Sequence, residues 1–140
     1  MGKKARFVLI VTSFIILMFA SNAYCDVLEQ LNGTWPMDAE RTLNSLVNSS
    51  DPQIRTNFRS AQDKRAAIEV FSHSFMRINT KTKTFTLLFH EGFESPYRVV
   101  KISGNSVIIN CGANDSKITL INQRQAKIEL GPGMTLFFKR

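Results

Sequence analysis

From Ser74 to the C-terminus the chain alternates apolar and polar residues, and short turn-forming stretches break the alternation at near-regular intervals. A period of two sends successive side chains to opposite faces of a strand, so this half of the chain is committed to half-buried antiparallel β-structure. The alternation also fixes register. With Thr80 to Lys83 as the first loop, Ile78 faces Phe85, Met76 faces Leu87 and Ser74 faces Phe89, while Arg77 meets Thr86 and Asn79 meets Thr84 on the polar side. A Gly104-Asn105 turn pairs Ile102 with Val107 and Val100 with Ile109. A three-residue loop at Gln123 to Gln125 pairs Leu120 with Ile128 and Ile118 with Leu130, whereas a two-residue loop would oppose Leu120 to Lys127. Gly131-Pro132-Gly133 then joins Ile128 and Leu130 to Leu136 and Met134. These segments make seven strands over about 73–139, and the stretch around Gly33 to Trp35 supplies an eighth. A meander of about eight strands can close on itself, which removes exposed edges and leaves room for packed side chains or one small ligand.

Residues 36 to about 70 have a different texture, rich in Ala, Leu, Gln, Arg and Glu. Helices are expected at about 38–48 and 52–70, the second opened by Asp51 as N-cap with Pro52 in the first helical position. Leu43, Leu46 and Val47 give the first an apolar side, and Ile54, Phe58 and Ala61 do so for the second. The pair is expected to pack over an opening or an edge of the sheet.

The first 25 residues carry a different kind of information. Lys3, Lys4 and Arg6 precede an apolar run of about 14 residues from Phe7 to Ala20, and small residues stand at Ser21 and Ala23. Positive start, short apolar run and small exit residues make a secretory signal peptide, cleaved after Ala23 or after Cys25, and the run is short for a membrane span. Export places the protein in the periplasm or outside the cell. Its removal leaves about 115 residues, one domain over 26–140, with 15 basic and 11 acidic side chains. The basic residues are scattered, with no run beyond Lys64-Arg65 and Lys139-Arg140, so nucleic-acid binding finds no support. Cleavage before Cys25 permits a Cys25–Cys111 disulfide in an oxidising compartment; cleavage after it leaves Cys111 alone, as a small apolar residue continuing the Val107 and Ile109 face.

Gly33-Thr34-Trp35, then Met37-Asp38-Ala39-Glu40-Arg41-Thr42, then helices, a meander and the ending Gly133-Met134-Thr135-Leu136-Phe137-Phe138-Lys139-Arg140 together resemble the small bacterial lipocalin-like domain proteins. The resemblance covers 31–140 as an ordered pattern. It implies a mainly β, antiparallel lipocalin-like barrel of about eight strands, with a two-helix insertion after the first strand. It also implies a closure in which Arg140, at the end of the last strand, lies on Trp35 of the Gly33-x-Trp35 opening. The inserted helices depart from the open cup of classical lipocalins.

No residue set reads as a catalytic centre. His73 and His90 fall opposite one another in the first hairpin's register and would begin a zinc or copper site, but such a site needs three or four ligands and this face is the polar one. Cys111 and the serines lack an adjacent base, and paired carboxylates are missing from the apolar face. The expected protein is therefore a non-catalytic binding module without metal or cofactor. Met76, Phe85, Leu87, Phe89, Val100, Ile109, Leu120, Ile128, Leu136 and Phe138 line its interior, either around a small apolar ligand or as a filled core. In the filled case it is a protein-interaction or envelope accessory module, inhibitors included. Its partner surface is then drawn from Phe93, within Glu91 to Pro96, and from Val99, Ile108 and Phe137 on the outer face. Membrane contact is expected only through an uncleaved signal segment.

Overall fold

The computed structural model describes residues 27–89 and 91–140. The signal segment, both cleavage sites, Cys25 and His90 lie outside these residues. A helical turn over 27–31 leads into β1 (Gly33–Pro36), followed by helices α1 (Ala39–Val47), α2 (Pro52–Thr56) and α3 (Ala61–Ser72). Eight further strands complete the chain: β2 (Phe75–Asn79), β3 (Thr84–Phe89), β4 (Glu91–Pro96), β5 (Arg98–Ser103), β6 (Ser106–Asn110), β7 (Asp115–Asn122), β8 (Gln125–Gly131) and β9 (Met134–Lys139). The fold is mainly β. It forms two antiparallel sheets in meander order, β1-β2-β3-β4 and β5-β6-β7-β8-β9.

The sheets meet at two places. At one, Met37 forms a bridge to Phe138 and the Asp38 N–H donates to the Phe137 carbonyl at 2.8 Å, joining the exit of β1 to β9. At the other, β4 and β5 are consecutive strands separated only by Tyr97. The first piece pairs with β3 and the second with β6. Tyr97 continues the β3–β4 ladder by donating its N–H to the Lys83 carbonyl at 2.9 Å. Sequence alternation anticipated a single strand here, and the Glu91–Pro96 piece was not foreseen as a strand.

Register follows the alternation except where an extra residue intervenes. The first hairpin has Ile78 opposite Phe85 and Met76 opposite Leu87, and Ile102 stands opposite Val107 across the Gly104-Asn105 turn. Beyond Ile102 the expected Val100–Ile109 pair is replaced. A bulge between Val99 and Lys101 puts Val99 opposite Ile109 and leaves Val100 outside the ladder, 50% exposed. Two adjacent valines satisfy either register in a pattern count, and the bulge that bends the strand beyond the Tyr97 corner decides between them. Val99 therefore shares the inward face of Ile109, not the outer face expected for it.

The β7–β8 hairpin also differs: Ile118 pairs with Ile128 and Leu120 with Ala126, around a bulge between Leu120 and Asn122. This displaces the pairing by two residues from the expected one, so every side chain keeps its face. Ala126 then enters the core opposite Leu120. In the last hairpin Ile128 pairs with Leu136, but Met134 stands opposite Gly131 and not Leu130.

Three helices replace the expected two. Asp51 accepts from the Gln53 N–H at 2.8 Å with Pro52 at the helix start, but α2 ends at Thr56. Ser60 then caps α3 in a reciprocal box with Asp63, the Asp63 N–H donating to Ser60 Oγ at 3.0 Å and the Ser60 N–H to Asp63 Oδ2 at 3.2 Å. This Ser-x-x-Asp signature marked the second start. Leu43 and Leu46 of α1 are buried, whereas Ala61, expected on a buried side, is exposed, and Ala67, Ile68 and Phe71 carry α3 onto the core.

The helices cover an edge. Past the Met37 bridge β9 has no strand on its far side among the described residues, and α1 takes that position. Buried Thr42 supplies both halves of a strand-like contact: its Oγ1 accepts from the Phe137 N–H at 2.9 Å and donates to the Phe137 carbonyl at 3.2 Å. Further along, Ser49 Oγ donates to the Gly133 carbonyl at 2.6 Å. An edge that would otherwise template pairing with another chain is thus satisfied from within.

Candidate functional site

Three regions carry the residues singled out by sequence. The first is the end of the molecule where β1 begins. Gly33 sits at φ +111, a conformation that favours glycine, and a side chain built there would meet Arg140 Nη1 at 3.6 Å. Arg140 Cζ lies 3.9 Å from the centroid of the Trp35 ring, and its guanidinium donates to the Asn32 carbonyl at 3.2 Å and the Gln30 carbonyl at 2.6 Å. Fully buried Trp35 donates from Nε1 to the Leu31 carbonyl at 2.9 Å. The segment leading into β1 and the residue after β9 are therefore tied through one indole, with the helical turn 27–31 supplying every carbonyl but that of Asn32 just beyond it. Val27 and Leu31 are buried beneath this arrangement. Their four-residue spacing was the available signal for that turn, which the strand-centred reading passed over.

The second region is the interior. Met76, Phe85, Leu87, Ile109, Leu120, Ile128, Leu136 and Phe138 are all buried, and Trp35, Ile118, Val107 and Ala126 join them in one cluster. Phe89 is partly buried and stacks on Phe71 of α3, with centroids 5.3 Å apart. Val100 is the exception described above. Large side chains from both sheets thus occupy the space between them, as close packing requires of a core.

The third region is a cleft of about 520 Å³ beside the Tyr97 corner, at the same end as Trp35. Leu28 and Glu29 of the helical turn form one wall, Thr80 and Lys83 of the β2–β3 turn a second, and Tyr97, Arg98 and Val99 the third. Thr80 is fixed there by two bonds to Asn32 Oδ1, from its N–H at 3.0 Å and its hydroxyl at 3.2 Å. Tyr97, which sequence analysis did not select, is buried, and burial together with the nearby Cys111 raises its phenol above the ordinary value. Burial likewise pushes up the Cys111 thiol. That shift favours the thiol over the thiolate, opposite to what an activated nucleophile requires.

The remaining candidates do not converge. His73 caps the C-terminus of α3, outside the strand that would have paired it with His90. Among the described residues no three His, Cys, Asp or Glu side chains are grouped to hold a metal ion. Of the residues expected on an outer partner surface, Phe137 lies under the Arg41 guanidinium at 4.3 Å, while Phe93 stands opposite Leu87 near the rim and is 45% exposed. Ile108 borders a shallower cleft with Asp115, Lys117 and Glu129. No helix among the described residues is long and apolar enough to cross a membrane.

Comparison with known protein families, with curated proteins and with solved structures finds no match.

Proposed function

We propose that the protein is an exported, non-catalytic interaction module with a lipocalin-like barrel, whose interior is filled by its own side chains and whose partners are met on the outside. Two features support the barrel. The run 91–103 belongs to both sheets, and the Met37–Phe138 bridge ties β1 to β9, so eight staves follow in order around one core. The observation that carries the functional reading is the burial of the inward face: side chains from Trp35 to Phe138 fill it, which argues against a cup for an apolar molecule.

The accessible surface offers apolar groups that a partner can cover. Phe93 and Val100 lie within eight residues on the shared run and are 45% and 50% exposed. Val100 lies between Arg98 and Lys101 in the chain, and Phe93 follows Glu91. The alternative, carriage of a small apolar ligand within the barrel, predicts that neutral lipophiles alter Trp35.

The test combines both. A panel of neutral lipophiles such as fatty alcohols is expected to leave Trp35 emission and the melting temperature unchanged. Saturable quenching at one ligand per chain would overturn the filled-barrel reading. Tagged protein is expected to retain an envelope component, and Phe93→Asp with Val100→Asp to release it; a strictly monomeric protein that retains nothing from envelope extract would overturn the interaction reading.

A further inference from the structure

The wall between the sheets is incomplete at the Tyr97 corner. On its side away from β6, β5 has no strand neighbour among the described residues, because β3 pairs with β4 and its ladder stops at the Lys83–Tyr97 bond. Val99 records the gap. It stands opposite Ile109, which is buried, and shares its face, yet is 40% exposed. The 520 Å³ cleft occupies this gap, within the range of small-molecule sites.

Its chemistry is divided. Leu28, the Tyr97 ring and Val99 give apolar contact area, whereas Lys83 and Arg98 bring two cations against the single carboxylate of Glu29. Neither cation is in an ion pair among the described residues; the pairs there are Lys117–Glu129 and Lys139–Asp38. The position of Lys83 is constrained. It is the one non-glycine residue in the left-handed region among the described residues, at φ 53, and its carbonyl is held by the Tyr97 N–H. A lysine kept in this conformation by its surroundings has its backbone fixed beside the cleft.

We infer that this cleft binds a small amphipathic monoanion, an aromatic or short aliphatic body carrying a carboxylate or sulfonate, with the body against Leu28, Tyr97 and Val99 and the acid between Lys83 and Arg98. The excess of one positive charge matches a single negative group, and an arginine can hold it through two parallel donors. This names a ligand class for the binding module proposed above but uses a site outside the filled interior. The ligand is a free molecule, not a lipid in a bilayer, because the apolar floor is a pocket between three walls and not a protruding surface.

The experiment uses the exported chain with 8-anilinonaphthalene-1-sulfonate as fluorescent probe, decanoate as competitor and decanol as neutral control. The expected result is one saturable site from which decanoate displaces the probe at least about tenfold better than decanol. Arg98→Gln and Lys83→Gln are each expected to weaken binding by about fivefold or more, and Val99→Asp to abolish it. Glu29→Gln removes the opposing carboxylate and is expected to tighten binding by about two- to fivefold. Far-UV circular dichroism and melting establish that each variant is folded. Absence of saturable binding, equal displacement by decanol, or indifference to all three charge changes would overturn the site. Co-sedimentation with phosphatidylglycerol vesicles in the absence of decanoate binding would overturn the assignment to a free ligand. Each failure leaves the neutral-lipophile and envelope-capture results of the preceding proposal intact, so the two fail separately.

Discussion

Replacing Arg140 by methionine removes a cation from the Trp35 face and two donors from the Gln30 and Asn32 carbonyls while keeping most of the side chain's apolar stem. The guanidinium lies 3.9 Å from the ring centroid and bonds to Gln30 and Asn32 at 2.6 and 3.2 Å. A cation over an indole contributes about 1 kcal/mol at a partly accessible site. Each hydrogen bond adds about 1 kcal/mol net, below the value for a fully buried charged pair because Arg140 is exposed and water can replace it at the carbonyls. The expected loss is about 3 kcal/mol, a fall of about 10 °C in melting temperature for a domain of this size. Urea unfolding measures it with the single tryptophan as reporter and circular dichroism as a second probe, the two midpoints being required to coincide. Arg140→Lys keeps the charge over the ring but cannot fork to two carbonyls, so it should recover about half of the loss. A loss below about 1 kcal/mol for Arg140→Met, or full recovery by lysine, would refute the view that this residue clamps the segment leading into β1 to the end of β9.

Other perturbations have equally definite outcomes. Thr42→Val keeps shape but leaves the Phe137 N–H without its acceptor at a buried position, while the carbonyl keeps the Asp38 N–H; chemical denaturation should register about 2 kcal/mol of destabilisation, and Thr42→Ser should retain most of the stability. Gly133→Ala places a methyl 2.5 Å from Ser49 Oγ at φ +78, so about 3 kcal/mol is expected from strain and loss of the Ser49 bond, whereas alanine at Gly104, which meets nothing within 4 Å, should cost only the smaller conformational term of about 1 kcal/mol in melting experiments. Burial raises the folded-state pKa of both Cys111 and Tyr97, so the unfolded chain releases these protons first and stability falls as pH rises above the ordinary thiol and phenol values. Stability measured from pH 8 to 10 should therefore decline less steeply in Cys111→Ala than in the parent; an unchanged slope would show that the thiol is not responsible. Val100→Thr, outside the β5–β6 ladder, should leave the melting temperature within about 2 °C of the parent.

Much of the sheet was legible because alternation is a one-dimensional record of which face each residue occupies. Met76, Ile78, Phe85 and Leu87 declared their pairings through the loop that joins them, and Asp51-Pro52 declared a helix start by hydrogen-bond chemistry local to the chain. The β7–β8 hairpin kept its faces although its register moved, since a shift of two residues preserves the pleat. What failed involved a residue whose role depended on distant neighbours. Val100 and Val99 are chemically interchangeable in the pattern, and only the bulge between Val99 and Lys101 decides which one pairs with Ile109. Thr42 looked like any helical threonine until β9 placed an unpaired backbone beside it, and Tyr97 became a cleft wall only when the β2–β3 turn and the helical turn met there.

The sequence by itself determined the mainly β class, the order of the meander and the identity of most core side chains, because period, turn chemistry and caps act over a few residues. Tertiary structure decided where the sheets join, how the β9 edge is satisfied, that large side chains occupy the interior, and that a charged cleft opens at the corner. Those outcomes depend on groups as far apart as Asn32 and Arg140, or Leu28 and Arg98, whose meeting is set by the tertiary arrangement and by no local pattern.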